Sequence, residues 1–298
     1  MVDPAFIGLD WGTTSFRAYL AADDGQALEA LAQGEGALAL KAGEHEPYLR
    51  GRLAPWLERW PNLPVLACGM VGAKQGWREA PYVACPAGLA EIASATLAIA
   101  TSFGAVRIAP GMRATDARGA PDVMRGEETQ VLGALALGGG DGAYVLPGTH
   151  SKWARVEGGR IIGFETFMTG EVFAVLKAHS VLGRMMAPPR SGEGFVRGVE
   201  AARDLERPGD LLHAIFAART FGLFETLPAD QLGEYLSGLL IGAEISAGAR
   251  GAARATAIGS KDLTARYVEA GARLGVAIAP APENCALLGL NALRRVSS

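Results

Sequence analysis

Apolar and polar positions alternate with a period of two in two separate stretches, and each stretch gives way to positions spaced three and four apart. Residues 5 to 33 predict an apolar strand (Ala5 to Leu9), a polar glycine turn (Asp10 to Thr14), a second strand (Ser15 to Ala21), an Asp-Asp-Gly turn and a third strand from Ala27. Residues 143 to 167 repeat this in kind: Ala143 to Leu146, Pro147-Gly148-Thr149-His150, Ser151 to Val156, Gly158-Gly159, then Arg160 to Phe167. Helical spacing follows each meander, over Pro47 to Trp60, an Ala-rich Gly88 to Thr101, and Gln231 to Ala247. Short apolar runs ended by Gly or Pro (Val65 to Cys68, Val106 to Ala109, Ala255 to Ile258) predict buried parallel strands. The pattern as a whole predicts an α/β protein made of two duplicated halves with a cleft between them. Ligands of such sheets bind beyond the carboxyl ends of the strands, where both glycine turns fall.

A length of 298 residues suits two domains, expected over 1–120 and 121–298. With 49% hydrophobic and 20% charged residues the chain has enough apolar material for a core and is not disordered by composition. Its net charge of -3 offers no field for nucleic acid or an anionic membrane, so an anionic ligand must be held by local groups. Cys68, Cys85 and Cys285 form no C-x-x-C pair and read as reduced thiols. The start, Met-Val-Asp-Pro-Ala-Phe, is not a secretory signal, and the uncharged run from Ile92 to Val106 is too short to span a membrane. A cytoplasmic protein is expected; a homodimer is compatible with the sequence.

The turns carry the first chemistry. Gly12 lets the backbone approach a bulky anion, and Thr13 and Thr14 add hydroxyl donors. Asp10 just before them would repel a phosphate unless a divalent cation lies between, so it implies Mg2+. An ordinary hairpin turn explains the first copy taken alone. The second copy, Gly148 and Thr149 with His150 and Lys152 beside them, shifts the balance toward two turns that clamp one chain of phosphates. Four histidines without metal spacing argue against zinc. Between the repeats, Gly126-Glu127-Glu128 opens a helix. Carboxylates there either offset the helix dipole or accept the proton of an attacking hydroxyl, and spacing does not choose between Glu127 and Glu128.

Leu9-Asp10-Trp11-Gly12-Thr13-Thr14-Ser15 and Leu146-Pro147-Gly148-Thr149-His150 resemble the two phosphate motifs of the sugar-kinase, Hsp70 and actin superfamily. The resemblance implies two duplicated ribonuclease H-like α/β domains with a nucleotide cleft between them, the actin-like ATPase fold. The first domain would hold the sugar, the second the adenosine. Gly126-Glu127 occupies the place of the Gly-Asp pair that supplies the base in related kinases, with Glu for Asp. Ala257-Ile258-Gly259-Ser260 is similar to the adenosine loop, which implies Gly259 and Ser260 at the nucleoside.

Further strings narrow the match. Gly69-Met70-Val71-Gly72, Gly76-Trp77, Ala80-Pro81-Tyr82, Val123 to Gln130, Met168-Thr169-Gly170-Glu171, Ser237 to Glu244 and Leu263 to Tyr267 together resemble the 2-dehydro-3-deoxygalactonokinase family. This implies transfer of the γ-phosphate of MgATP to the terminal hydroxyl of an acid sugar. Such a substrate needs cations, for which Arg17, Lys74, Arg78, Arg125 and Lys152 are candidates, with Trp11 and Trp77 as apolar walls. Two other readings stand beside it: a phosphatase or polyphosphate hydrolase of the same superfamily, and a non-enzymatic protein switched by ATP.

Overall fold

A computed structural model of the chain describes residues 2–190, 192–207 and 209–296. In chain order the first elements are β1 (Phe6–Trp11), β2 (Phe16–Ala21), β3 (Ala27–Leu31), α1 (His45–Arg59), β4 (Val65–Cys68), β5 (Tyr82–Ala84) and α2 (Leu89–Ser94). There follow β6 (Leu97–Thr101), β7 (Gly104–Ile108), β8 (Gly111–Thr115), β9 (Pro121–Met124) and α3 (Glu127–Ala136). The second meander is β10 (Gly142–Leu146), β11 (Ser151–Glu157) and β12 (Arg160–Phe167). After it come α4 (Thr169–His179), α5 (Gly194–Arg203), α6 (Asp210–Leu223), α7 (Ala229–Ala249), β13 (Arg254–Ala257), α8 (Lys261–Leu274), β14 (Ala277–Pro280) and α9 (Cys285–Val296).

The duplication is visible in the sheets. One is ordered β3-β2-β1-β4-β7-β6 and the other β12-β11-β10-β13-β14, so in each a three-stranded meander continues from its first strand into two parallel strands, and in the first sheet β6 adds an antiparallel edge. β4 runs parallel to β1 and β7 to β4; β13 runs parallel to β10 and β14 to β13. β4, at the centre of the first sheet, is apolar throughout because it is buried along its whole length, whereas β7, β13 and β14 keep exposed positions. A small third sheet, β5-β8-β9, has no sequence-level counterpart in the expectations above.

The chain divides into two compact units: unit 1 is Met1–Asp141, Arg155–Phe164 and Pro282–Ser298, and unit 2 is Gly142–Ala154 and Glu165–Ala281. The division falls after residue 141 rather than residue 120, and α3 belongs with β1 instead of with the second meander. Its cause is α9, which packs along α3 and also against β1 and β4. The approach is backbone to backbone: a Cβ on Gly133 would overlap the Cys285 carbonyl, and one on Gly289 the Thr129 carbonyl.

In unit 1 the core is built from Ile7, Leu9, Trp11 and Phe16 of the meander and the stripe His45, Leu49, Leu53, Trp56 of α1. In unit 2 one cluster joins Val145 and Trp153 to Ile241 and Tyr267, and another gathers Leu232, Tyr235, Leu236 and Leu239 of α7. The Ala-rich helix expected over Gly88 to Thr101 ends at Ser94, and Leu97–Thr101 is a strand antiparallel to β7. Ser94 and Thr96 turn their hydroxyls back onto the Glu91 and Ala93 carbonyls at 2.9 and 3.0 Å, which competes with helix continuation. Among the described residues no helix is long and apolar enough to cross a membrane.

Candidate functional site

Three backbone segments of unit 1 are pressed together at the ends of β1 and β4 and the start of α3. A Cβ on Gly69 would come within 2.8 Å of the Trp11 carbonyl oxygen, and one on Gly126 within 3.0 Å of the Gly69 Cα. Both glycines have positive φ (93° and 104°), which L side chains rarely adopt, so these positions require glycine twice over. The consequence is that Asp10, Cys68 and the Glu127-Glu128 pair surround one point. Asp10 lies opposite Cys68 on the parallel side and opposite Arg17 on the antiparallel side.

The first turn follows directly. Gly12 N–H closes it on the Ser15 carbonyl at 2.9 Å, while the Gly12 carbonyl accepts from Ala37 N–H at 2.9 Å. Gly36 lies flat against Thr13, where any Cβ would overlap the Thr13 carbonyl. Thr13 and Thr14 are exposed, as a binding turn requires. Asp10 is mostly buried; burial pushes its carboxyl above the usual range, and Arg17, 3.4 Å away, partly opposes this. Arg17, expected to meet substrate, is thus already beside Asp10.

The two acids at the start of α3 differ. Glu128 is fully buried, with Oε2 accepting from Gly126 N–H at 2.7 Å and Oε1 from the Thr129 hydroxyl at 2.8 Å. Burial first, and Glu127 second, push its carboxyl up to about 7. Glu127 is half-buried and accepts from Arg125 N–H at 2.9 Å. Cys68 is held well above its ordinary value by burial and then by Asp10, Glu128 and Glu127, which marks how densely acids gather there.

The loop from Gly69 to Tyr82 borders the same place. Arg125 is buried against it, donating from Nη2 to the Ala80 carbonyl at 2.7 Å with its guanidinium 4.3 Å from the centre of the Tyr82 ring. Its Nε and Nη1 have no hydrogen-bond partner among the described residues. Trp77 is half-buried and parallel to the His45 ring, 6.2 Å between centres, while Arg78 and Lys74 are exposed. Trp11 is not a wall for a sugar: it is fully buried, edge-on to Phe16, with its indole N–H on the Glu35 carbonyl at 3.1 Å. Strand alternation turns it into the core together with Ile7 and Leu9.

Unit 2 holds the second turn. Thr149 and His150 are exposed; the Thr149 carbonyl accepts from Glu171 N–H at 3.0 Å, and the His150 ring pairs with the Glu171 carboxylate. Lys152, expected among the substrate cations, is buried with Nζ 3.2 Å from the His150 carbonyl, so it braces the turn from beneath. Gly259 borders Pro147, whose carbonyl a Cβ would meet at 3.5 Å, and Ser260 is exposed, so the Gly259-Ser260 loop adjoins the Pro147-Gly148-Thr149-His150 turn.

Sequence reasoning did not pick out Glu244 of α7. It is buried and collects the Ser151 hydroxyl at 2.6 Å, the Trp153 indole at 2.9 Å, the Tyr267 hydroxyl at 2.6 Å and the Thr169 side chain. A carboxylate on the apolar stripe of α7, four residues after Leu240, was the available signal. His45 was passed over too, because the helix was begun at Pro47; started two residues earlier, His45 heads the buried stripe.

The chain matches the family model for 2-keto-3-deoxy-galactonokinase over residues 10–293. It is 42% identical over 248 residues to a protein of Rhizobium meliloti (strain 1021) named as a probable 2-dehydro-3-deoxygalactonokinase, covering 81% of this chain and 79% of that one. It is 36% identical over 274 residues to the 2-dehydro-3-deoxygalactonokinase of Escherichia coli (strain K12), covering 91% and 90%. A crystal structure from Sinorhizobium meliloti, of a protein put forward as a 2-dehydro-3-deoxygalactonokinase, superposes with TM-score 0.88 at 36% identity over 97% of this chain and 98% of that one. The Clostridium difficile activator of 2-hydroxyisocaproyl-CoA dehydratase, solved with ADPNP, shares the fold alone (TM-score 0.50, 12% identity, 98% and 95% covered).

Proposed function

The chain belongs to the 2-keto-3-deoxy-galactonokinase family and is a carbohydrate kinase, and on that premise we propose that it phosphorylates the terminal, 6-hydroxyl of 2-dehydro-3-deoxy-D-galactonate. The donor is ATP with Mg2+, and the reaction serves D-galactonate breakdown in the cytoplasm. The observation that carries this reading is the convergence of Asp10, the Gly12-Thr13-Thr14 turn and Glu127 where Gly69 and Gly126 meet.

Asp10 fits a magnesium site: a largely buried carboxylate whose ionised form burial disfavours gains from a cation. No cluster of three or more acidic, His or Cys side chains suited to a metal occurs among the described residues. A Mg2+ at Asp10 would be held by one carboxylate together with water and phosphate oxygens. Bound there, the ion would supply neutralisation of phosphate charge. In unit 1 Thr13 and Thr14 bind phosphate; in unit 2 Gly148, Thr149 and His150 bind phosphate, and Gly259 and Ser260 bind the adenosine.

Glu127 takes the proton of the terminal hydroxyl. It is the acid of the pair that a ligand reaches, whereas both oxygens of Glu128 are occupied inside the fold. Glu128 instead fixes the Gly126 N–H and so the direction of the helix start. At the far end of the acceptor, the partnerless edge of the Arg125 guanidinium suits a carboxylate, because a buried cation without an anion is costly. Trp77 lies along the sugar and Arg78 stands at the exposed rim.

An ADP-release assay with 2-dehydro-3-deoxy acids of both configurations, beside a no-sugar control, tests the reading. ADP release that depends on the galactonate-derived acid is expected. Orthophosphate release without sugar would replace it with the hydrolase reading, and ATP binding without turnover would replace it with the switch.

A further inference from the structure

His45 and Arg125 are two buried side chains with unpartnered polar atoms, and both pack against the same loop. His45 is 2% exposed and Arg125 8%. The loop between them is tightly folded, with Trp77 N–H on the Val71 carbonyl and Ala80 N–H on the Gly72 carbonyl, each at 2.9 Å. Trp77 covers the His45 ring from one side, and Gly72 touches Arg125, whose Nη1 a Cβ at that position would meet at 3.0 Å.

The His45 tautomer follows from its partner. Nε2 lies 3.0 Å from the Ala37 carbonyl, which only accepts, so Nε2 carries the proton. In the neutral ring Nδ1 is then a bare acceptor, and it has no donor among the described residues. Buried polar atoms are rarely left so, since an unmade hydrogen bond costs more than a made one returns. Ala37 is also the residue whose N–H holds Gly12, which places His45 one residue away from the backbone of the first turn.

We propose that His45 is a specificity-determining residue for the acceptor: Nδ1 accepts a hydrogen bond from a sugar hydroxyl of the polyhydroxy acid whose carboxylate Arg125 binds. The inference rests on the kinase reading above and adds to it a residue that reads hydroxyls. A neutral sugar satisfies only His45 and a simple keto acid only Arg125, so the pair together selects a hydroxylated acid.

Two substitutions separate recognition from structure, because Gln places an amide N–H where Nε2 was, and Asn places an oxygen where Nδ1 was. H45Q keeps the donor to Ala37 and loses the acceptor; its KM for the acid is expected to rise about tenfold with the KM for ATP unchanged. H45N is expected to hold the KM for the acid near the wild-type value while melting at a lower temperature. The wild-type protein supplies a third arm: acids deoxygenated at one carbon at a time, of which one should lose about the same factor. H45Q should be indifferent to that loss. A wild-type KM in H45Q, a benign Gln with a harmful Asn in acid binding, or no deoxygenated acid that suffers would each overturn the proposal. If wild-type protein released no ADP with any acid, the kinase reading itself would fall first.

Discussion

Asp10 on β1 and Glu244 on α7 are both carboxylates buried beside a glycine turn, one in each unit, and burial raises both. Their surroundings differ. Glu244 is ringed by donors: hydroxyls from Ser151 and Tyr267, the Trp153 indole and the Thr169 side chain all answer it from within the fold. Asp10 has the exposed Arg17 at 3.4 Å and, across the strand, Cys68 with the Glu127-Glu128 pair behind it. Unit 2 therefore spends its buried acid on holding a turn still. Unit 1 gathers carboxyls whose ionised forms burial disfavours at Asp10 and Glu128, a state that a cation would relieve. The two sheets share a strand order from the meander through the parallel strands, and the electrostatics beside them differ.

That contrast is easiest to break at Glu244. Glu244→Ala should lower the free energy of unfolding by about 4 kcal/mol in urea titrations, since several buried donors lose their acceptor at once. A loss under about 1 kcal/mol would mean that the acid is not the tie that the geometry implies. Glu127→Gln tests the other copy and should leave stability and ATP affinity nearly untouched while turnover drops about 100-fold, roughly 2.7 kcal/mol of barrier. Wild-type turnover would remove Glu127 from proton transfer.

Glu128→Gln sharpens the comparison through pH. The Glu128 carboxyl is raised in the folded chain to about 7 from the ordinary 4.5. Between those values the folded state binds more protons than the unfolded one, so stability falls as pH rises through this window and levels off above it. The variant has no such titration. Its stability relative to wild type should therefore grow by roughly 2 to 3 kcal/mol between pH 5 and pH 8. A constant difference across that range would show that Glu128 titrates normally.

Much of this was legible in the residues. Strands β10 to β12 fall within a residue or so of the alternation over 143–167, because glycine pairs and a Pro-Gly turn punctuate it. The Glu pair at the start of α3 was read from a glycine followed by acids, and the helix does begin there. What failed was whatever long-range packing decides. The Leu97–Thr101 strand looked helical because alanine is a good helix former, and only pairing with β7 made it β. Glu127 is proposed over Glu128 because the Gly126 N–H and the Thr129 hydroxyl occupy the Glu128 oxygens, which no spacing reveals. Trp11 looked like a ligand wall because it neighbours the turn, yet its strand face points inward. The docking of α9 on α3 left no local mark beyond two glycines, Gly133 and Gly289, too far apart in the chain to be read as a pair.

That docking also sets a schedule for synthesis. Residues around Asp10 leave the ribosome well before α9, and the surfaces of α3, β1 and β4 stay uncovered until Cys285–Val296 has been made. A nascent chain therefore carries its acidic cluster on an incomplete scaffold while unit 2 is being made, so unit 1 is completed only after unit 2 has been synthesised. Premature termination between Gly142 and Cys285 would thus leave the Asp10 region without the helix that covers it.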